Sequence, residues 1–241
     1  ISKIIFENKQ IRKKLELYIF KIVRKKRSDF IKKEKEKKTK FIFIDIQKPT
    51  RGLLLFRLAF LAILIMLSWK LIGYNYKTAE IWDHFLHLPN LIFHEAGHVI
   101  FIPFGSFITA LGGTLGQLII PIICSGTLFF KSRDPFGGFV CFWWFGQNFL
   151  DIAPYVFDAV YMKQPLVGGV YGHSMPYGVH DWNYILNESG LLSYYYEISQ
   201  IIYIFGVNII LISLLGMGIV SVKHFKNIKT INSWVGYNNN S

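Results

Sequence analysis

The 241 residues predict an all-α fold: a polytopic membrane helix bundle of about five transmembrane spans, with one candidate re-entrant segment, behind a basic amphipathic N-terminal region. Hydrophobic residues make up 52% of the chain and aromatics 17%, and they fall in long blocks, not in the alternating patterns of a soluble core. The charge is confined to one segment. Residues 1–51 hold 18 Lys and Arg against 6 Asp and Glu, which is the whole formal net charge of +12, whereas residues 52–241 hold nine of each sign.

The first segment, 1–51, interleaves its basic residues with Ile4, Ile5, Phe6, Ile11, Leu15, Tyr18, Ile19, Ile22 and Val23 at helical spacing. Such a pattern suits a helix on an anionic leaflet, each basic residue near the surface contributing on the order of 1 kcal/mol. A solvated tail that fixes orientation through its positive charge is the competing reading. With a membrane span directly after it, the leaflet is a sufficient partner and nucleic acid need not be invoked. Phe41–Ile46 alternates around Asp45 and is a candidate short strand. A basic run of about fifty residues is far longer than the leading region of a secretory signal, so none is expected. The expectation is an integral protein of the cytoplasmic (inner) membrane with its N-terminus in the cytoplasm.

Residues 52–222 form the expected transmembrane domain, with a core at 85–162 and a Gly-rich loop at 163–198, and 223–241 a polar C-terminal tail. The spans are Leu58–Tyr74, Ile81–Pro103, Phe107–Phe130, Phe136–Met162 and Ile201–Val222, with Arg57 placed to snorkel at the start of the first. Pro89 and Asn90 divide the second into an interfacial piece and a shorter helix. Five crossings put Lys223, Lys226 and Lys229 on the side opposite the N-terminus, against the positive-inside tendency. A re-entrant Phe104–Gln117, rich in glycine at 105, 112, 113 and 116, would restore it; close helix packing through those small residues explains them equally well.

Inside the second block lies His94-Glu95-Ala96-Gly97-His98. On a helix the two imidazoles, four residues apart, face one way and can hold one Zn²⁺, with the carboxylate of Glu95 beside the metal's open position as general base. Ionisable groups at membrane depth are expensive and persist mainly where they bind something or line a polar cavity.

A third ligand is needed, and depth suggests Asp151. If the motif helix and Phe136–Met162 run parallel, His94 and Asp151 lie roughly 16 and 18 Å from matching ends at ~1.5 Å per residue. Asp158 is nearer the boundary, where water or a lysine would meet it. The rival is His180-Asp181 in the loop, which could fold back into the site, though a polar external turn capped by Asp is its preferred reading. His84 and His87, with Asp83, are candidates for a second metal site or a proton relay but read more simply as interfacial residues. Cys124 and Cys141, both in apolar blocks, read as small buried hydrophobes. Gln117, Gln147, Asn148 and Thr114 are candidate linings of a water channel.

The intramembrane His-Glu-x-Gly-His run, the Gly-rich stretch after it and an Asp on a later helix resemble the site-2 protease type of intramembrane zinc metallopeptidase, over roughly residues 85–162. The resemblance implies His94, His98 and Asp151 as zinc ligands, Glu95 as base, and cleavage of a membrane-embedded protein substrate. It also implies a divergent branch: Asn148, Asp151 and Pro154 stand in an order unlike that family's Asn-x-x-Pro followed by Asp-Gly.

Two other classes stay open. A di-iron lipid desaturase or hydroxylase would use His94-x-x-x-His98 as one histidine box, but it needs about eight histidines in several boxes and the chain has seven. A non-catalytic, metal-binding or metal-free subunit of a larger membrane assembly would use the basic arm and the aromatic loop around Tyr171, Tyr177, Trp182 and Tyr194–Tyr196 to dock partner subunits.

Overall fold

The structure, a computed structural model, describes residues 50–238 and, before them, residues 21, 24, 25 and 27–29, which are helical and exposed. The expected surface helix over the rest of 1–49 and the short strand at Phe41–Ile46 lie outside the described residues. The chain divides into two units, Ile1–Ile44 and Asp45–Ser241, and the candidate site lies wholly in the second.

The described residues are helical, and their extended pairing is a single isolated bridge between Pro165 and Tyr171. Helix α1 spans Arg51–Gly73, α2 His87–Phe101, α3 Ser106–Gly126 with a π-type turn Thr127–Lys131 beyond it, α4 Pro135–Phe157, α5 Asp181–Glu188 and α6 Tyr195–Asn238. Three helices are long and apolar enough to cross a membrane: α1, α3 with its π-type turn, and the Leu192–Ile228 stretch that includes most of α6. The five spans expected from the apolar blocks reduce to these three by that measure. Their outward faces are unpacked, with Trp69 85% and Leu215 69% exposed, as lipid-facing side chains would be. Helix α6 runs on through most of the expected C-terminal tail.

Local chemistry sets the boundaries. Thr50 caps α1 by accepting the Leu53 N–H at 3.2 Å, and Asp134 caps α4 by accepting from Gly137, with Pro135 at the first helical position. Ile102–Phe104 tightens into a 3₁₀ turn, and Gly105, at φ +89°, reverses the chain from α2 into α3. Phe104–Gln117 is therefore mostly regular helix, not a re-entrant loop. Its glycines serve packing: a methyl on Gly97 would run into the Gly112 carbonyl, and one on Gly116 into the Phe93 carbonyl.

Two sets of contacts fix the ends of the bundle. At one end the Arg57 guanidinium, 2% exposed, reaches Asp134 at 3.3 Å and donates to His224 Nδ1 at 2.9 Å; His224 Nε2–H in turn donates to the Thr50 carbonyl. Arg57 is thus buried and paired, where snorkelling was expected. At the other end Tyr203 donates to the Ile72 carbonyl and Ser199 to the Ala153 carbonyl. Helices α1 and α4 therefore run one way and α6 the other. Helix α3 is antiparallel to α4, since Ser125 donates to the Gly138 carbonyl while Ala110 packs in one cluster with Ile152 and Val156.

Helix α2 fits neither direction. Along α4 its contacts step backward, His87 to Asp151, Asn90 to Gln147 and Phe93 to Trp144, so the parallel arrangement behind the depth match does not hold. Along α3 they also step backward, His94 to Gln117 and His98 to Thr109. Because α3 and α4 are themselves antiparallel, α2 must lie oblique to both.

Candidate metal centre

The obliqueness of α2 decides which carboxylate its histidines meet. The turn at 87–90 faces α4, and the next two turns face α3 and α5. His94 Nε2 stands 3.1 Å from Asp181 Oδ2, and His98 Nε2 stands 3.2 Å from the same oxygen. Among the described residues these three form the one group of His, Cys, Asp or Glu whose ligand atoms converge, all within 4.8 Å of one another. Asp181, the rival candidate, and not Asp151, is the acid beside the motif, and the His180-Asp181 pair folds back into the site where an external turn was the preferred reading.

Asp151 occupies a neighbouring polar cluster. Both its oxygens face His87 Nδ1, at 2.9 and 3.1 Å, and Asn90 donates to it at 3.2 Å. Trp82 stacks on the His87 ring and donates its indole N–H to the Asp151 carbonyl. His84 lies apart, accepting the Leu86 N–H. Asp158 accepts the N–H groups of Lys163 and Gln164 and faces His180 at 3.5 Å, so it pins the loop that carries Asp181. His180 itself caps α5, accepting the Asn183 N–H on Nδ1. Both cysteines are free thiols.

The far sides of the two imidazoles are also committed. His98 Nδ1 lies 2.8 Å from the Thr109 carbonyl, and His94 Nδ1 lies 3.0 Å from Gln117 Oε1. A carbonyl only accepts, so each neutral ring carries its proton on Nδ1 and turns a bare Nε2 lone pair toward Asp181. Two lone pairs and a carboxylate oxygen would then confront one another, an arrangement relieved either by a proton on Nε2 or by a cation held between the three atoms. With no metal bound, protons fill that role. Burial alone would raise the Asp181 carboxyl, but Nε2–H groups donated by the imidazoles outweigh it and hold the acid well below its ordinary value, at about 2. Burial would likewise lower His98, but Asp181 holds it up at about 9, so a metal would have to displace protons from this cluster.

The space fits an ion. Ligand atoms placed tetrahedrally at about 2.0–2.1 Å from Zn²⁺ stand about 3.3 Å apart, close to the separations seen here. Gly113 of α3 keeps that space open, because a Cβ there would lie 2.5 Å from His94 Nε2 and 2.6 Å from His98 Nε2. Two imidazoles and one carboxylate leave a fourth position for water or substrate, the pattern of catalytic zinc sites. Tyr155 braces the acid, its hydroxyl donating to Asp181 Oδ2 at 3.2 Å and accepting the Asp181 N–H at 3.1 Å.

The centre opens into a cavity of about 1100 Å³, lined in part by Glu95, which is exposed, by His87 and Asp151, and by Leu166–Val167 and Tyr177 of the loop. Of the residues expected to line a water channel, Gln117 orients His94, Thr114 accepts the Trp182 indole N–H, Gln147 accepts from Asn90, and Asn148 donates to the Trp144 carbonyl. No protein family, curated protein or solved structure matches the chain.

Proposed function

We propose that the chain is a membrane-embedded, zinc-dependent hydrolase that cleaves a peptide bond in a membrane-embedded substrate, with His94, His98 and Asp181 as metal ligands and Glu95 as general base. The observation that carries this reading is the convergence of both Nε2 atoms on one carboxylate oxygen, with both Nδ1 atoms engaged by acceptors elsewhere.

Zinc bound there supplies Lewis-acid polarisation of the scissile carbonyl and a more acidic water. Glu95, next to the first ligand in the chain and facing the cavity, takes the proton of the attacking water and returns it to the leaving amine. Thr109 and Gln117 hold the imidazoles in the ligating tautomer, and Tyr155 holds the carboxylate in register. Glycines 97, 112 and 116 bring α3 against α2, which supports the likeness to site-2 proteases, whose Gly-rich element also adjoins the motif helix.

The test is a comparison of the purified full chain with Glu95→Gln. Both should carry about one zinc per chain, since Glu95 lies outside the ligand set. Terminal-amine labelling of membranes from cells expressing each should reveal new N-termini in membrane proteins that require Glu95. Equal zinc with identical N-termini would instead leave a metal-binding subunit without hydrolase activity.

A further inference from the structure

Among the described residues, the end of the bundle tied by Arg57, Asp134 and His224 gathers Arg51, Arg57, Lys131, Arg133, Lys223 and Lys226 with the acid Asp134. Each position follows from the network: Lys131 and Arg133 immediately precede Asp134, Lys223 and Lys226 flank His224, and Arg51 follows Thr50. Among the described residues, the opposite end carries Glu80, Asp83, Glu188 and Glu197 with Lys70, Lys77 and Lys163. There Lys77 lies over the Tyr196 ring at 5.0 Å, joining the exit of α1 to the entry of α6.

The chain leaves α1 at this acidic end and enters α3 at the same end, so residues 75–105, with the oblique α2, dip into the bundle and return without crossing. Beside the three apolar spans, the 23-residue α4 runs the length of the bundle antiparallel to α3, which makes four passes with α1, α3 and α6. An even number puts all six basic residues on one side, which removes the conflict that five crossings create with the positive-inside rule. The cavity belongs to the acidic end: Gly105 and Ser106 at the start of α3, Tyr155 near the end of α4, and the 165–179 loop all line it.

We infer that the basic end faces the cytoplasm and that the cavity opens on the extracytoplasmic side, so that its substrate is the stretch of a membrane-anchored polypeptide lying at the extracytoplasmic interface. The sidedness stands on charge and connectivity alone; the polypeptide substrate rests on the hydrolase reading. A membrane anchor suits the cavity, whose lining includes both the loop and the apolar Ile102, 61% exposed.

Single cysteines in the full chain test this, after Cys124→Ser and Cys141→Ser. Val167→Cys reports the cavity loop and Ser132→Cys the basic end, both at exposed positions. In intact cells a membrane-impermeant maleimide should label Val167→Cys fully and Ser132→Cys only after permeabilisation. Detergent-solubilised protein, in which both must label, controls for folding and access. Label on Ser132→Cys from outside, equal label on both, or Val167→Cys labelled only after permeabilisation overturns the sidedness. The Glu95-dependent N-termini should map to extracytoplasmic faces. Cytoplasmic ones overturn the substrate assignment, whereas absence of any Glu95-dependent N-terminus defeats the hydrolase reading and leaves the labelling result standing.

Discussion

His98 Nδ1 lies 2.8 Å from the carbonyl oxygen of Thr109, a backbone acceptor that no side-chain rotation can turn into a donor. This contact fixes where the proton of a neutral His98 sits, and it leaves Nε2 unprotonated 3.2 Å from Asp181. The partner of His94 is a side chain, Gln117, and can therefore be changed.

Gln117→Leu removes the acceptor that holds His94 Nδ1–H. Zinc affinity should fall by about 10–100-fold, the usual effect of losing such an outer partner. Chelator competition on purified protein reads it, and Gln117→Glu, which keeps an acceptor, should retain more of the affinity.

Gly113→Ala should abolish metal binding while the protein still assembles in the membrane, because the added methyl occupies the space between the two Nε2 atoms. Gly126→Ala, on the same helix with nothing within 4 Å, should bind zinc as the wild type does. Zinc content of the two purified variants makes the comparison.

Much of this was legible in the sequence, and the failures share one cause. Composition marks apolar helices, and four-residue spacing places His94 and His98 on one face, because helix geometry is local. Crossing angle is not local. The depth match that favoured Asp151 needs α2 parallel to α4, and the close glycine contacts of 97, 112 and 116 set α2 oblique instead, handing Asp151 to His87. The sequence marks Asp181 only by the large apolar Trp182 beside it; in the structure Trp182 is 9% exposed and donates to Thr114, which anchors this part of the loop inside the bundle. Nothing in the sequence around Thr109 marks its carbonyl as a partner, since every residue has one.

Asp134→Ala should destabilise the protein more than Asp134→Asn. Alanine loses both the cap on Gly137 and the partner of the buried Arg57, whereas asparagine keeps the cap, worth on the order of 1 kcal/mol. Thermal unfolding in detergent should rank wild type above Asn and Asn above Ala.

Asp158→Ala frees the Lys163 and Gln164 amides and removes the carboxylate facing His180. Hydrogen exchange should rise at 163–164 and around 180–183 while α1 and α6 keep their protection. Zinc should bind more weakly, because the loop that presents Asp181 is less ordered.

Zinc stoichiometry of Asp181→Asn beside Asp151→Asn tests the centre most directly. The geometry predicts that Asp181→Asn loses the ion and that Asp151→Asn keeps it. A protein that keeps its zinc without the carboxylate at 181 and loses it without the one at 151 would contradict the site described here.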